Sequence, residues 1–288
     1  MGNRSNLGFG CVSLTQHTFL KDAQNILALA FDKGIKHFDT APVYGNGYSE
    51  KILGSFIKNK RSQVTITTKC GLGNLDQPTI NLNIALPLNA IKNSLKKKTI
   101  NAGNSQPTLL PFRSIDINYV KRHLQKSLQN LQTDYIDYYL LHEALPSFLT
   151  PEASDFLNEQ KQKGIIRHLG VAANYINLLS IFDKDLKGFS VLQYENGPNY
   201  KTDELIKKFP DKKHFYHSAL QSLRNLDKAY SYSDWVGIIL NRACKINPSG
   251  KVLFSTISSQ RLNENIAAFE KYNDLSLEEL NKIIDGIY

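Results

Sequence analysis

Eight short runs of β-branched and aromatic residues alternate with helical patterns, and this alternation limits the fold more than any other feature of the chain. The strand candidates are Leu7–Leu14, Lys36–Thr40, Gln63–Lys69, Tyr135–His142, Arg167–Ala172, Phe189–Gln193, Lys213–Ser218 and Lys251–Thr256. Each is followed by a segment that reads as a helix. Leu20–Lys33 stops at Gly34, a C-cap residue. Ser49 caps Glu50–Lys58, and Thr150-Pro151-Glu152 supplies N-cap, N1 and N2 of a helix ending near Gly164. Asp116–Leu131 is apolar at Ile117, Val120, Leu124, Leu128 and Leu131, a helical period. Later helices are expected over Tyr175–Asp183, Thr202–Phe209, Ser231–Lys245 and Gln260–Tyr272, and a last one from Ser276 carries Glu278 and Glu279 in its first turn.

Apolar strands alternating with helices predict a parallel sheet covered by helices, and eight such units predict an α/β protein of the (β/α)8 TIM-barrel type. A doubly wound open sheet is the alternative. The strand count favours the barrel, and so does the missing GxGxxG after the first strand. Gly45-Asn46-Gly47 is half of such a motif and follows the second strand. No Pro/Gly/Ser-rich linker divides the chain, so residues 1–288 read as a single domain. Leu72–Arg113, with four prolines, is too long for a simple connection. It leaves the third strand at its C-terminal end, so residues 72–113 are expected to form a long loop over that face of the barrel.

Composition excludes several classes. With 41% apolar and 21% charged residues the chain is globular, not disordered. No apolar run approaches the roughly 20 residues that span a bilayer, so no membrane segment is expected. MGNRSNLGFG has neither an apolar signal region nor the Ser or Thr of a myristoylation motif. Cys11, Cys70 and Cys244 are far apart, which argues against a disulfide framework or a structural zinc site. A cytoplasmic location and no metal are the expectations. The net charge of +9 comes mostly from dispersed lysines. Lys96–Lys98 is the one dense run, and no nucleic-acid-binding motif accompanies it, so no nucleic-acid partner is expected.

A barrel places its chemistry at the C-terminal ends of its strands. Asp39, Lys69, His142, Gln193 and Ser218 end the second, third, fourth, sixth and seventh strands; Asn174 follows the fifth, and Tyr44 lies five residues beyond Asp39. Polar groups are costly in a packed core unless paired, so seven in one ring mark a site. Asp, Tyr, Lys and His suit proton transfer to a carbonyl oxygen. A lysine about 4 Å from a tyrosine is worth roughly 1–4 kcal/mol, which predicts a tyrosine pKa one to three units below ~10. No side chain supplies a hydride, so redox chemistry needs a nicotinamide or flavin.

The chain resembles the aldo-keto reductases. The resemblance rests on Phe38-Asp39-Thr40-Ala41-Pro42-Val43-Tyr44-Gly45-Asn46-Gly47-Tyr48-Ser49-Glu50 with Leu53-Gly54. Further matches are Ile66-Thr67-Thr68-Lys69, Thr133-Asp134-Tyr135-Ile136-Asp137-Tyr138-Tyr139-Leu140-Leu141-His142 and Arg261-Leu262-Asn263-Glu264-Asn265. It implies a (β/α)8 barrel with Tyr44 as general acid and Asp39, Lys69 and His142 as its partners. It implies an extended NADP(H), with Gln193 on the carboxamide, Arg261 on the 2′-phosphate, and Glu264 and Asn265 near the adenine.

Several positions depart from the family's pattern. The usual Ser-Asn after the fifth strand is Ala172-Ala173, with Asn174 one place late. Either Asn174 takes over the carboxamide contact or that contact is lost. His217 stands where an aromatic stacks on the nicotinamide, and it stacks there or lines the pocket beside Ser218. Phe254-Ser255-Thr256 lacks the usual lysine, which leaves NAD(H) possible as well. Glu143, where many relatives have tryptophan, makes the substrate pocket polar. The expected function is an NADP-dependent oxidoreductase acting on a small polar carbonyl or alcohol, an aldose or sugar derivative included. The alternatives are an NADPH-binding barrel with a regulatory or protein-interaction role, and a cofactor-free lyase or isomerase. Oligomeric state stays open.

Overall fold

The computed structural model describes residues 4–72, 81–88, 114–196, 203–220 and 230–285. Eight parallel strands close in sequence order: β1 Leu7–Gly10, β2 His37–Asp39, β3 Thr65–Cys70, β4 Ile136–His142, β5 Ile166–Ala172, β6 Phe189–Glu195, β7 Lys213–His217 and β8 Lys251–Phe254. The pairing of Leu7 with Val252 joins first strand to last and makes the sheet a barrel, not an open wound sheet. Its interior holds Tyr138, Leu140, Ala172, Val191 and Phe215, with the His37 ring edge-on to Phe215. The outward side chains pack under the surrounding helices as one larger core.

The helices follow their local signals. Asp116 accepts from the Tyr119 N–H at the start of Ile117–Leu131, and Thr150 from the Ala153 N–H before Pro151–Gln162. Ser231 and Asp234 form a reciprocal cap on Tyr232–Ile246. The expected helix Tyr175–Asp183 is shorter, Tyr175–Ser180, with a separate 3-10 turn at Asp183–Leu186.

Two strands end sooner than the residue pattern predicts. β1 stops at Gly10, and Cys11–Gln16 forms a 3-10 turn that buries Cys11, Ser13 and Leu14. The cause is tertiary: Ser49 donates to the Cys11 carbonyl at 2.8 Å and draws this segment onto the following barrel unit. β8 stops at Phe254, and the Thr256 hydroxyl accepts from the Ser258 N–H instead. The expected loop 72–113 falls mainly on residues 73–80 and 89–113, outside the described residues. Among the described residues no helix is long and apolar enough to cross a membrane.

At the opposite end of the barrel Asp137 is buried and outward-facing. It accepts from Arg61 at 2.8 Å, Arg167 at 2.9 Å and the Ile66 N–H at 3.0 Å. Both guanidiniums lie against the Tyr135 ring, at 3.7 and 4.0 Å. Three donors on one carboxylate make a buried charge tolerable.

Gly54 fixes how closely two helices approach. A Cβ there would overlap the Asn130 carbonyl oxygen on the neighbouring helix, and backbone cannot swing aside. Gly54→Ala is expected to cost about 1–3 kcal/mol despite alanine's better helix propensity. A lower urea midpoint at unchanged m-value checks this; an unchanged midpoint would mean that the helices move apart freely.

Candidate active site

Asp39 ends β2, and the Thr40 N–H still donates to Thr67 O across the sheet at 2.8 Å. The chain then turns sharply through Gly45, Asn46 and Gly47, all in the left-handed region with φ of 56°, 57° and 83°. A side chain at Gly45 would also collide with Thr15. This turn brings Tyr44 back over the barrel mouth and starts the helix Tyr48–Ile57.

Lys69, on β3, is 2% exposed. Its ammonium donates to Asp39 Oδ1 at 2.6 Å and to Thr40 O at 3.0 Å, and lies 5.1 Å from the centre of the Tyr44 ring. Burial works against the charge, but Asp39 and Tyr44 outweigh it and hold the lysine above its ordinary pKa. His142 ends β4, edge-on to Tyr44 with ring centres 6.0 Å apart. Its Nδ1 is buried without a hydrogen-bond partner among the described residues.

Tyr44 shifts against the sequence-based expectation. Burial raises its pKa above the ordinary value, and the opposing pull of Lys69 does not offset it while Asp39 adds to the rise. Lysine does pull the phenol down, but burial outweighs that pull. Tyr44 therefore stays protonated well past neutrality. Burial, then Lys69 and His217, hold His142 well below the ordinary histidine range; burial, then Lys69, pushes His217 down to about 4. Both imidazoles are neutral at pH 7. Glu143 adopts φ 50° with its N–H on Ala172 O at 2.7 Å; burial and then Glu195 push its carboxyl up, against the pull of the Asn174 N–H.

These groups open into a cavity of about 880 Å³. Asp39, Tyr44, Lys69 and His142 line it together with Glu143. Gln193, His217, Ser218, Ser255, Arg261, Glu264 and Asn265 line it as well. The structure thus brings together eleven of the thirteen residues expected from sequence. Asn174 and Thr256 are the exceptions. Asn174 is exposed, and its side-chain Oδ1 accepts from the Asn177 N–H at 2.8 Å as a helix cap. Thr256 is committed to the Ser258 N–H.

Sequence reasoning missed Val12, Leu220 and Tyr232, which also line the cavity. Val12 belongs to the unexpected 3-10 turn, and Tyr232 opens a helix far along the chain from any strand end. Cys11, Cys70 and Cys244 are free and buried, and burial pushes the Cys70 and Cys244 thiols up to about 12, which leaves them unreactive.

The residues present fit a nicotinamide dinucleotide. Gln193 is 2% exposed, yet its Oε1 has no partner among the described residues, so it awaits a donor such as a carboxamide N–H. Arg261 is exposed on the first turn of the helix Ser259–Lys271, where a phosphate is favoured.

Tyrosine, lysine, aspartate and histidine thus converge on one cavity at the mouth of a closed eight-stranded barrel. Residues 6–213 match the profile of the aldo/keto reductase family, and the chain belongs to that family. It is 29% identical to the uncharacterized oxidoreductase YqkF of Bacillus subtilis over 188 residues, 65% of this chain and 51% of that protein. It is 35% identical to the NADH-specific methylglyoxal reductase of Escherichia coli over 143 residues, 48% of this chain and 37% of that protein. The chain thus spans about half the length, or less, of these curated relatives. An aldo-keto reductase from Klebsiella pneumoniae in complex with NADPH shares the fold at a TM-score of 0.68 and 19% identity, over 98% of this chain and 90% of that one.

Proposed function

We propose that the protein is an NADP(H)-using oxidoreductase that moves a hydride between the nicotinamide and a small polar carbonyl or alcohol. The observation that carries this reading is the convergence of Tyr44, Lys69, Asp39 and His142 on one cavity wall, beside a buried amide oxygen that lacks a donor. The cofactor, when bound, supplies the hydride. Tyr44 then gives its proton to the carbonyl oxygen, and Lys69 steadies the charge left on the phenolate. Asp39 holds Lys69 charged and in place. Neutral His142 donates a hydrogen bond to the same oxygen, and its depressed pKa keeps it from competing as the acid.

Glu143 supports the substrate class. An exposed carboxyl beside His142 on the cavity wall favours hydroxyl-bearing substrates, aldoses and sugar derivatives among them, over aromatic aldehydes. Turnover of a panel of aldoses, short hydroxy-aldehydes and aromatic aldehydes with NADPH tests both parts. No turnover of any would sink the reductase reading; a simple aromatic aldehyde outperforming every sugar and hydroxy-aldehyde in kcat/KM would sink the polar-pocket reading.

Cofactor preference rests on Arg261, the one cation besides Lys69 among the described residues lining the cavity, with Ser255 in place of the lysine of the family's pattern. Arg261→Ala is expected to weaken NADPH binding by about 1.5–3 kcal/mol, roughly ten- to a hundredfold, and NADH binding far less. Fluorescence titration with both cofactors checks this. Equal losses would place Arg261 away from the 2′-phosphate. The protein is expected to use NADH as a secondary cofactor, because one phosphate contact is absent.

A further inference from the structure

The two oxygens of Asp39 are claimed from opposite sides. Lys69 donates to Oδ1 at 2.6 Å, and the Gln193 amide nitrogen donates to Oδ2 at 2.9 Å. Gln193 lies on β6, four strands from β2 either way around the ring, and 154 residues away in sequence. The bond therefore crosses the full width of the barrel mouth. Only an amide nitrogen can donate to a carboxylate, so this contact fixes which way the Gln193 amide faces. Its oxygen is left buried in the cavity wall with no partner among the described residues. Asn174 caps a helix through Oδ1 and is not among the residues lining the cavity, and Ala172 presents a methyl group to it, so the ring contact falls to Gln193.

We propose that Gln193 is a positioning residue for Asp39 as well as a contact for the cofactor ring, so that occupancy of the ring site and the proton donor Tyr44 are coupled along the line Gln193–Asp39–Lys69–Tyr44. The cofactor half of this proposal rests on the function proposed above. The coupling follows from hydrogen-bond polarisation. A donor on Gln193 Oε1 polarises the amide and strengthens its N–H bond to Asp39. A better-satisfied Asp39 opposes the phenolate of Tyr44 less. By reciprocity, the state of Tyr44 then alters affinity at the ring site.

The groups facing Tyr44 are Asp39 from β2, Lys69 from β3, His142 from β4 and Cys11 from the turn after β1. Lys69 pulls the phenol down, whereas Asp39 and Cys11 push it up. Neutral His142 adds no charge at the pH where tyrosine titrates. Removing the Gln193 donor leaves Asp39 more strongly charged towards Tyr44 and frees it to draw Lys69 away, and both changes act upward.

The test is an ultraviolet titration of tyrosinate in the free protein, with Tyr44 isolated as the difference from a Tyr44→Phe background. Gln193→Met is expected to raise the Tyr44 midpoint by about one unit and to weaken NADPH binding about tenfold. Gln193→Asn keeps an amide but is one methylene too short, so it should shift the midpoint in the same direction. It also serves if Gln193→Met fails to fold by circular dichroism. A weaker NADPH constant with an unmoved Tyr44 midpoint in these variants overturns the positioning role and leaves a plain cofactor contact. A moved midpoint in a protein that binds no NADPH overturns the coupling and the proposed function together, and leaves only the Gln193 hold on Asp39.

Discussion

Tyr44→Phe is expected to reduce carbonyl turnover by about a hundred- to ten-thousandfold while leaving the NADPH dissociation constant nearly unchanged. In the proposed mechanism the phenol hydroxyl supplies a proton only at the chemical step, so its loss removes an interaction made in the transition state. The ring itself remains to pack against His142 edge-on and under the Lys69 ammonium. Burial keeps the tyrosine protonated at neutral pH, the state that the proposed acid role needs. The measurement pairs steady-state reduction of an aldehyde with a fluorescence titration of cofactor. Retention of most of the wild-type kcat would remove Tyr44 from the acid role, and a large loss of cofactor affinity would mean that the hydroxyl binds rather than reacts.

Lys69→Met is expected to cost roughly five- to a thousandfold in kcat, the range given by an ammonium about 4 Å from a developing phenolate. Alcohol oxidation should suffer more than carbonyl reduction. Oxidation needs Tyr44 ionised, and the substitution removes the one group that lowers its pKa strongly. In the wild type, oxidation should rise with pH towards a midpoint above the ordinary tyrosine value of ~10, and reduction should fall through the same midpoint. Lys69→Met moves that midpoint higher. No limb is expected near the ordinary histidine value, since His142 and His217 titrate well below it. The variant also leaves Asp39 buried beside Gln193 without its cation, a loss of about 3–5 kcal/mol in stability, so folding is checked first. Parallel pH profiles in the two directions, or an unchanged midpoint in a folded variant, would exclude Tyr44 as the titrating group.

The barrel was legible because its signal is local and repeated: each strand and most helices announce themselves through residue type, spacing and caps. The strand-end residues Asp39, Lys69 and His142 were legible for the same reason, since a polar group at the end of an apolar run stands out. What escaped depends on contacts between distant segments. The early end of β1 is set by Ser49, which lies on a later helix. Asn174 has the right chemistry for an amide contact, but a free helix N–H three residues on claims it first. The direction of the Tyr44 shift depends on how much of the ring the turn at Gly45–Gly47 covers, and no count of nearby charges supplies that. The bond between Asp39 and Gln193 has no local trace, since each residue satisfies its own strand pattern.

The joining of Leu7 to Val252 also sets a timetable for the newborn chain. These partners are 245 residues apart, so at ordinary rates of synthesis β1 emerges roughly 12–50 s before the strand that completes it. During that interval β1 leaves an unpaired edge open to any neighbouring chain. A barrel closed by its last strand also has few early contacts that reward closing the ring, which slows folding. Until Lys251–Phe254 has emerged the barrel has an open seam, and the chaperone demand of this chain should concentrate in that window.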